Sequence, residues 1–308
     1  MKKSVIPLLL LLLCFCSHTK AQSTYRLKSW VKTKPSELSA YNKPMPEAWE
    51  LVFEDNFDGS RIDTGKWHTS TNGWKRNHAN NLHYYMDENI VVKEGVAMLV
   101  AKREPNVRKG WFADVDNGNG GWREQLFEYT SAIIETKEKY DHGLFEARCR
   151  IPDGRGFWPA FWLFGEGGEI DIFEFNTAKP KKHYITVHSW PENGQHQQIA
   201  TVWRSPVSFS EEFHTFSLEW DKWKMVFRVD GIVRRVDFRY ITLDGKAVED
   251  ASQFDPDNIL ENPVFPTGKQ CVKLNLAIPD ENSSFQPMPN ARTPFPSSLD
   301  IDYIRIYN

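Results

Sequence analysis

From about Leu51 onward the chain is a succession of short β-rich runs divided by turn dipeptides, which leaves few architectures open. The runs are Leu51-Val52-Phe53, Ile90-Val91-Val92, Val96 to Ala101, Ile133 to Thr136, Leu144 to Ile151, Ile170 to Phe175, Tyr184 to His188, Phe213 to Trp220, Lys224 to Val229, Cys271 to Ile278 and Ile301 to Tyr307. Between them stand Asp58-Gly59, Glu94-Gly95, Asp153-Gly154, Asp230-Gly231 and Asp244-Gly245. Almost no window keeps apolar residues at i, i+3, i+4 and i+7, so a helical fold is excluded. Many strands at short spacing predict an all-β sandwich or barrel. The last run ends at the C-terminus, and a terminal strand is usually tied into a sheet, so one domain over 49–308 is expected. Pro105 to Arg123 and Asp280 to Ser298 are rich in turn residues and read as long loops, where binding function often sits.

The first residues read as an export signal. Lys2 and Lys3 precede an apolar run from Val5 to Cys16, and Thr19-Lys20-Ala21 offers small residues at a cleavage site. A signal peptide over 1–21 predicts a secreted, periplasmic or cell-surface protein. Lipid attachment at Cys14 or Cys16 is disfavoured by bulky Leu13 and Phe15. No other apolar run reaches membrane-spanning length, so no transmembrane segment is expected. Residues 22–48 are polar and punctuated by proline, which suggests a linker or a strap lying on the domain. Cys149 and Cys271 would remain after cleavage, either paired or as buried thiols. A formal net charge of −3 argues against a nucleic-acid partner. No internal repeat is visible, and a monomer is expected.

The most informative stretch is Gly168-Glu169-Ile170-Asp171-Ile172-Phe173-Glu174-Phe175. Glu169 and Asp171 are two apart, so a strand points both to one face. Glu174 falls on the opposite face unless a β-bulge within Ile172-Phe173 absorbs one residue. With that bulge the backbone span from Glu169 to Glu174 is roughly 13 Å. Side chains leaning inward then bring the two glutamates to about 5–5.5 Å, the carboxyl spacing of a retaining glycosidase. Asp171 between them would raise one neighbour's pKa and orient the other. Trp158, Phe161, Trp162, Phe164, Phe173 and Phe175 make the surroundings apolar. Three repelling carboxylates in such a place call for a chemical reason; the bland alternatives are a solvated acidic face or a cation site.

The aromatic lead-in Gly156-Phe157-Trp158-Pro159-Ala160-Phe161-Trp162-Leu163, followed by the acidic block, closely resembles glycoside hydrolase family 16. Further matching blocks run in the family's order from Phe53-Glu54-Asp55-Asn56-Phe57-Asp58-Gly59 to Asp302-Tyr303-Ile304-Arg305-Ile306-Tyr307. The resemblance implies a β-jelly-roll sandwich of two curved antiparallel sheets with a concave substrate cleft. It implies a secreted, retaining endo-β-glycanase with a polysaccharide substrate. Glu169 would be the nucleophile, Glu174 the acid/base and Asp171 the assisting carboxylate. The extra residue before Glu174 matches the bulged branch, which holds β-1,3-glucanases, agarases, porphyranases and carrageenases.

Sugar rings stack on aromatic faces, and Trp158, Trp162 and His188 flank the acidic strand in the family's order. Tyr85, Trp74, Trp111 and Trp122 fall in segments that look like cleft edges; Trp67 and Trp220 read as core. His83 is either a sugar contact or a structural histidine. Many β-1,3-glucanases carry Trp-Pro where this chain has Gly165-Glu166-Gly167, and differ at Asn81, His83 and Ile133. These departures lean toward a galactan, including a sulfated one that Arg76, Lys75 and Arg123 would meet by charge-assisted hydrogen bonds. No cofactor is required. The family also implies a structural calcium at Asp302, with backbone oxygens near Glu54 and Gly95. A non-catalytic carbohydrate-binding jelly roll and a transglycosylase are the alternative readings.

Overall fold

The computed structural model describes residues 30–43, 49–77, 81–113, 121–191 and 195–308. The expected leader lies outside the described residues, as do 22–29 and 44–48 of the expected strap. Among the described residues no helix is long and apolar enough to cross a membrane.

Strands whose residues alternate between two environments build an eleven-stranded and a seven-stranded sheet, with a small three-stranded sheet beside them. In Gly143–Arg150, for example, Phe145, Ala147 and Cys149 are buried while Glu146, Arg148 and Arg150 are less so. Such a strand has one face to hide, and two sheets laid face to face hide it. Phe216 from the larger sheet meets Phe173 and Phe175 from the smaller, with Phe145 and Phe161 in the same core; the Phe173 and Phe216 ring centroids are 4.6 Å apart. Fully burying each such ring contributes about 2–3 kcal/mol. Trp67 and Trp220 lie in this core, as expected. The architecture is the all-β sandwich that the sequence predicts.

The seven-stranded sheet runs Gln197–Arg204, Lys182–Ser189, Gly168–Phe175, Trp158–Gly165, Gln270–Ala277, Ile133–Thr136 and Trp67–His68, paired antiparallel throughout. One face of this sheet contributes to the core, and the other carries the site described below.

The structure departs from the sequence reading at one long hairpin and decides two points the sequence left open. Within the expected loop Pro105 to Arg123, the described residues on both sides are strand: Val96–Ala113 and Gly121–Ser131 pair antiparallel out to Ala113 and Gly121. A register shift between Arg103 and Val107 absorbs Pro105 and Asn106, whose φ is 68°. Main-chain pairing thus overrides the turn-forming composition, because Pro sits where no ladder N–H is needed. The aromatic lead-in Trp158–Gly165 is itself a central strand. Cys149 and Cys271 are both free and buried; one faces the inter-sheet core and the other donates its thiol to the Phe164 carbonyl at 3.1 Å.

The described part of 22–48 lies on the larger sheet. Val31–Lys32 adds to the edge of Ile232–Phe238. Leu38 and Tyr41 then cover Val226, Val233, Val236 and Phe238, forming a second small core. Tyr41 Oη donates to Glu249 at 2.6 Å.

Candidate active site

Three cross-strand rows organise the cleft face. The first aligns Asn275, Ala160, Glu174 and Tyr184; the second Glu135, Lys273, Trp162, Asp171 and Thr186; the third Cys271, Phe164, Glu169 and His188. The acids reach successive rows because the acidic strand carries a bulge. Asp171 faces Thr186 and Glu174 faces Tyr184, so Ile172 and Phe173 together oppose Ile185. Both bulge side chains sink into the core. Burying two consecutive apolar residues is what turns Glu174 back to the face of Glu169 and Asp171.

These acids line a cleft of about 360 Å³ together with Asn81, Tyr85, Trp158, Trp162, Asn275 and Phe285, among others. Trp158 Nε1 donates to Glu174 Oε1 at 2.8 Å, and Trp162 Nε1 donates to Asn275 Oδ1 at 2.8 Å. His188 Nε2 stands 3.1 Å from Asp171 Oδ2 and 3.8 Å from Glu169 Oε1. On the ring's other side, Nδ1 is 2.7 Å from His196 Nε2. Behind Trp162, the buried Lys273 ammonium lies 4.8 Å from its ring and 2.9 Å from Glu135.

Burial sets the electrostatics. It raises Glu169 to about 8, helped by the charge of Asp171 and opposed by His188. It raises Asp171 well above the usual carboxylate range, with Glu174 adding to the rise and Arg235 opposing it. Glu174 is also raised by burial, while the Trp158 hydrogen bond pulls it down. Three close carboxylates in a poorly solvated cleft cannot all be ionised at neutral pH. The trio therefore holds an acid and a base together, and its titration belongs to the cluster.

The other sequence candidates divide. Tyr85 is buried and lines the cleft. His83 is structural: it is fully buried and its Nδ1 accepts from Ile278 N at 3.0 Å. Arg76 is committed to Asp87 at 2.6 Å and to the Tyr85 carbonyl, and does not line the cleft. Trp74 is half exposed on a turn outside the cleft lining. Trp111 and Trp122 belong to the long hairpin, with Trp111 opposite Arg123; the side chains of all three lie outside the described ones. Asn275 and Phe285 line the cleft without any sequence signal of their own pointing to it. Only cross-strand register places Asn275 there, and Phe285 sits in the proline-rich 280–298 loop with no local signal.

At Asp302, where the family resemblance implies a structural calcium, the carboxylate is bonded to the Arg148 guanidinium. A different set could hold a metal: donor atoms of Glu169, Asp171 and His188 all lie within 4.8 Å of one another.

Comparisons with known proteins bear on the family and the fold. The family model for glycosyl hydrolases family 16 matches residues 102–240. A glucan endo-1,3-beta-glucosidase of Cryptopygus antarcticus is 31% identical over 223 residues, covering 68% of this chain and 77% of that protein. Glucan endo-1,3-beta-glucosidase A1 of Niallia circulans is 25% identical over 289 residues, 86% of this chain but 38% of the relative. The structure of the catalytic domain of an endo-1,3-beta-glucanase (laminarinase) from Thermotoga petrophila RKU-1 superposes with a TM-score of 0.63 at 28% identity. That match covers 85% of this chain and 99% of the other. The jelly-roll form of the sandwich follows from this structural match.

Proposed function

The chain belongs to glycosyl hydrolases family 16, and from that premise we propose that it is an exported endo-β-1,3-glucanase that cleaves with retention. The hydrolase class comes with the family; the glucan is carried over from the relatives' activities. The observation that supports the mechanism most is the bulge at Ile172-Phe173, which gathers Glu169, Asp171 and Glu174 into one cleft.

In this reading Glu174 carries a proton on the oxygen that Trp158 does not bind, and delivers it to the leaving glycosidic oxygen. Ionised Glu169 attacks the anomeric carbon as the C–O bond to the leaving sugar breaks. Water then adds to the glycosyl-enzyme: Glu174 takes its proton, the hydroxide bonds to the anomeric carbon, and Glu169 departs as carboxylate. Lys273 and His188 oppose the rise of the Glu169 pKa, so they favour the ionised nucleophile. Asp171 holds the balance between the two. Trp158, Trp162 and Tyr85 offer aromatic surface to the sugar. No step calls on a metal or an organic cofactor.

The test is reducing-end release from laminarin, mixed-linkage glucan, agarose, porphyran and carrageenan, with products identified by mass. Laminarin cut into short β-1,3 oligosaccharides is the expected result. Cleavage of porphyran or carrageenan alone would return the substrate to the galactans, and no cleavage of any would leave a binding module.

A further inference from the structure

The cleft holds one buried oxygen that the hydrolytic scheme leaves unsatisfied. Asp171 is 3% exposed, and its Oδ2 accepts no hydrogen bond among the described residues. His188 Nε2 is only 3.1 Å away, close but without hydrogen-bond alignment. A buried acceptor left unpaired is costly. Donor atoms of Glu169, Asp171 and His188 converge within 4.8 Å of one another. His188 Nε2 is 3.1 Å from Asp171 Oδ2 and 3.8 Å from Glu169 Oε1. Ligands bound tetrahedrally at about 2.0–2.2 Å stand about 3.3–3.6 Å from one another, and the two distances from His188 fall on either side of that range. His196 Nε2, 2.7 Å from His188 Nδ1, fixes the ring from behind, as outer partners of metal-bound histidines do. One imidazole nitrogen with two carboxylates suits zinc or copper, whereas calcium wants six to eight oxygens.

We propose that Glu169, Asp171 and His188 form a capture site for a first-row transition-metal dication, Zn²⁺ above all, and that its occupation reversibly shuts off cleavage. The bound ion takes up the Glu169 Oε1 lone pair that would attack the sugar. No bond within the protein forms or breaks, and release of the ion restores the carboxylate. The inhibitory half rests on the nucleophile role given to Glu169 above; the binding half does not.

The experiment is calorimetric titration of the untagged, EDTA-stripped protein with ZnCl₂ and with CaCl₂, and the visible absorption of the Co²⁺ form. One equivalent of Zn²⁺ is expected, with at least tenfold weaker Ca²⁺ binding and Co²⁺ bands of a low-coordinate N/O site. Glu169→Gln and His188→Gln should each weaken Zn²⁺ at least tenfold while keeping the wild-type melting temperature within a few degrees. His214→Asn, at the His214–Asp230 contact away from the cleft lining, should leave binding unchanged. Reducing-end release should fall as Zn²⁺ rises and return with EDTA. Zn²⁺ binding no tighter than Ca²⁺, or undiminished in both Gln variants, overturns the site. Tight binding with unchanged turnover overturns the inhibition. Zn²⁺ binding in a protein that cuts none of the polysaccharides would sink the hydrolase reading and spare the site.

Discussion

Glu169 and Glu174 are the same residue type in different company, and their variants separate the roles. Glu174 receives the Trp158 N–H; Glu169 faces His188 and is lifted to about 8 chiefly by burial. Replacing Glu174 by Gln should lower kcat about 10²–10⁴-fold on laminarin while leaving the melting temperature near wild type, because a proton donor is lost and little packing changes. The Glu169 shift carries a signed consequence for stability. Between the ordinary glutamate value and about 8 the folded protein keeps a proton that the unfolded chain has released, so stability falls as pH rises through that window. Glu169→Gln removes this term. Its melting temperature should exceed wild type by a few degrees at pH 8 and by much less at pH 4.5. Under the proposed mechanism activity moves in the opposite sense, since an ionised Glu169 is the attacking group and its population grows toward pH 8. Asp171→Asn, by removing the nearest negative charge, should shift the acid limb of the kcat/KM profile to lower pH even as kcat drops. An unmoved acid limb would break the electrostatic account of Asp171.

At the scale of the element, the acidic strand was legible because two rules collide in it. Period-two alternation sends Glu174 into the core, and an apolar pair, Ile172-Phe173, offers the residue that a bulge can absorb. The structure resolves the collision as expected. The strand before it was harder to read. Trp158–Gly165 is apolar without alternation and has Pro159 inside a central strand, where the missing N–H normally argues against one. The turn between these strands is closely packed against the Thr267 backbone. Gly167 has φ 81°, and a Cβ there would stand 2.0 Å from the Thr267 carbonyl oxygen. Backbone cannot yield as a side-chain tip can, and a positive φ penalises any L side chain. Gly167→Ala should therefore cost about 2 kcal/mol or more and misplace Glu169, two residues on, lowering laminarin turnover per folded molecule. Denaturant unfolding and kinetics on the same sample check both. The long hairpin shows the opposite failure: turn-forming residues with no local strand signal pair because their partners are held by the sheet they extend.

The molecule as a whole is joined beneath its active site by a charge pair that no sequence pattern exposes. Arg235 and Asp237 sit two apart on a strand of the larger sheet, spaced like any solvated pair, yet both are buried. Arg235 binds Asp237 through Nε and Nη2 at 2.6 and 2.5 Å. Its Nη1 crosses the sandwich to the carbonyls of Ile185 and Ile199, at 2.8 and 3.2 Å. Ile185 is the residue that faces the bulge, so the clamp grips the smaller sheet where the acidic strand is kinked. The Arg235 charge also opposes the rise of the Asp171 pKa. Removing one member of such a pair strands the other. Arg235→Met should cost about 3–5 kcal/mol in urea unfolding at pH 7, most of it from an unpaired Asp237. Arg235→Met with Asp237→Leu should recover much of that loss, because the two carbonyls are then the chief groups left unsatisfied. If stability returns in the double variant but laminarin turnover does not, the clamp is retained for the geometry of the bulge rather than for the strength of the sandwich. If both return, the buried charges serve neither, and the kink is held by Ile172 and Phe173 alone.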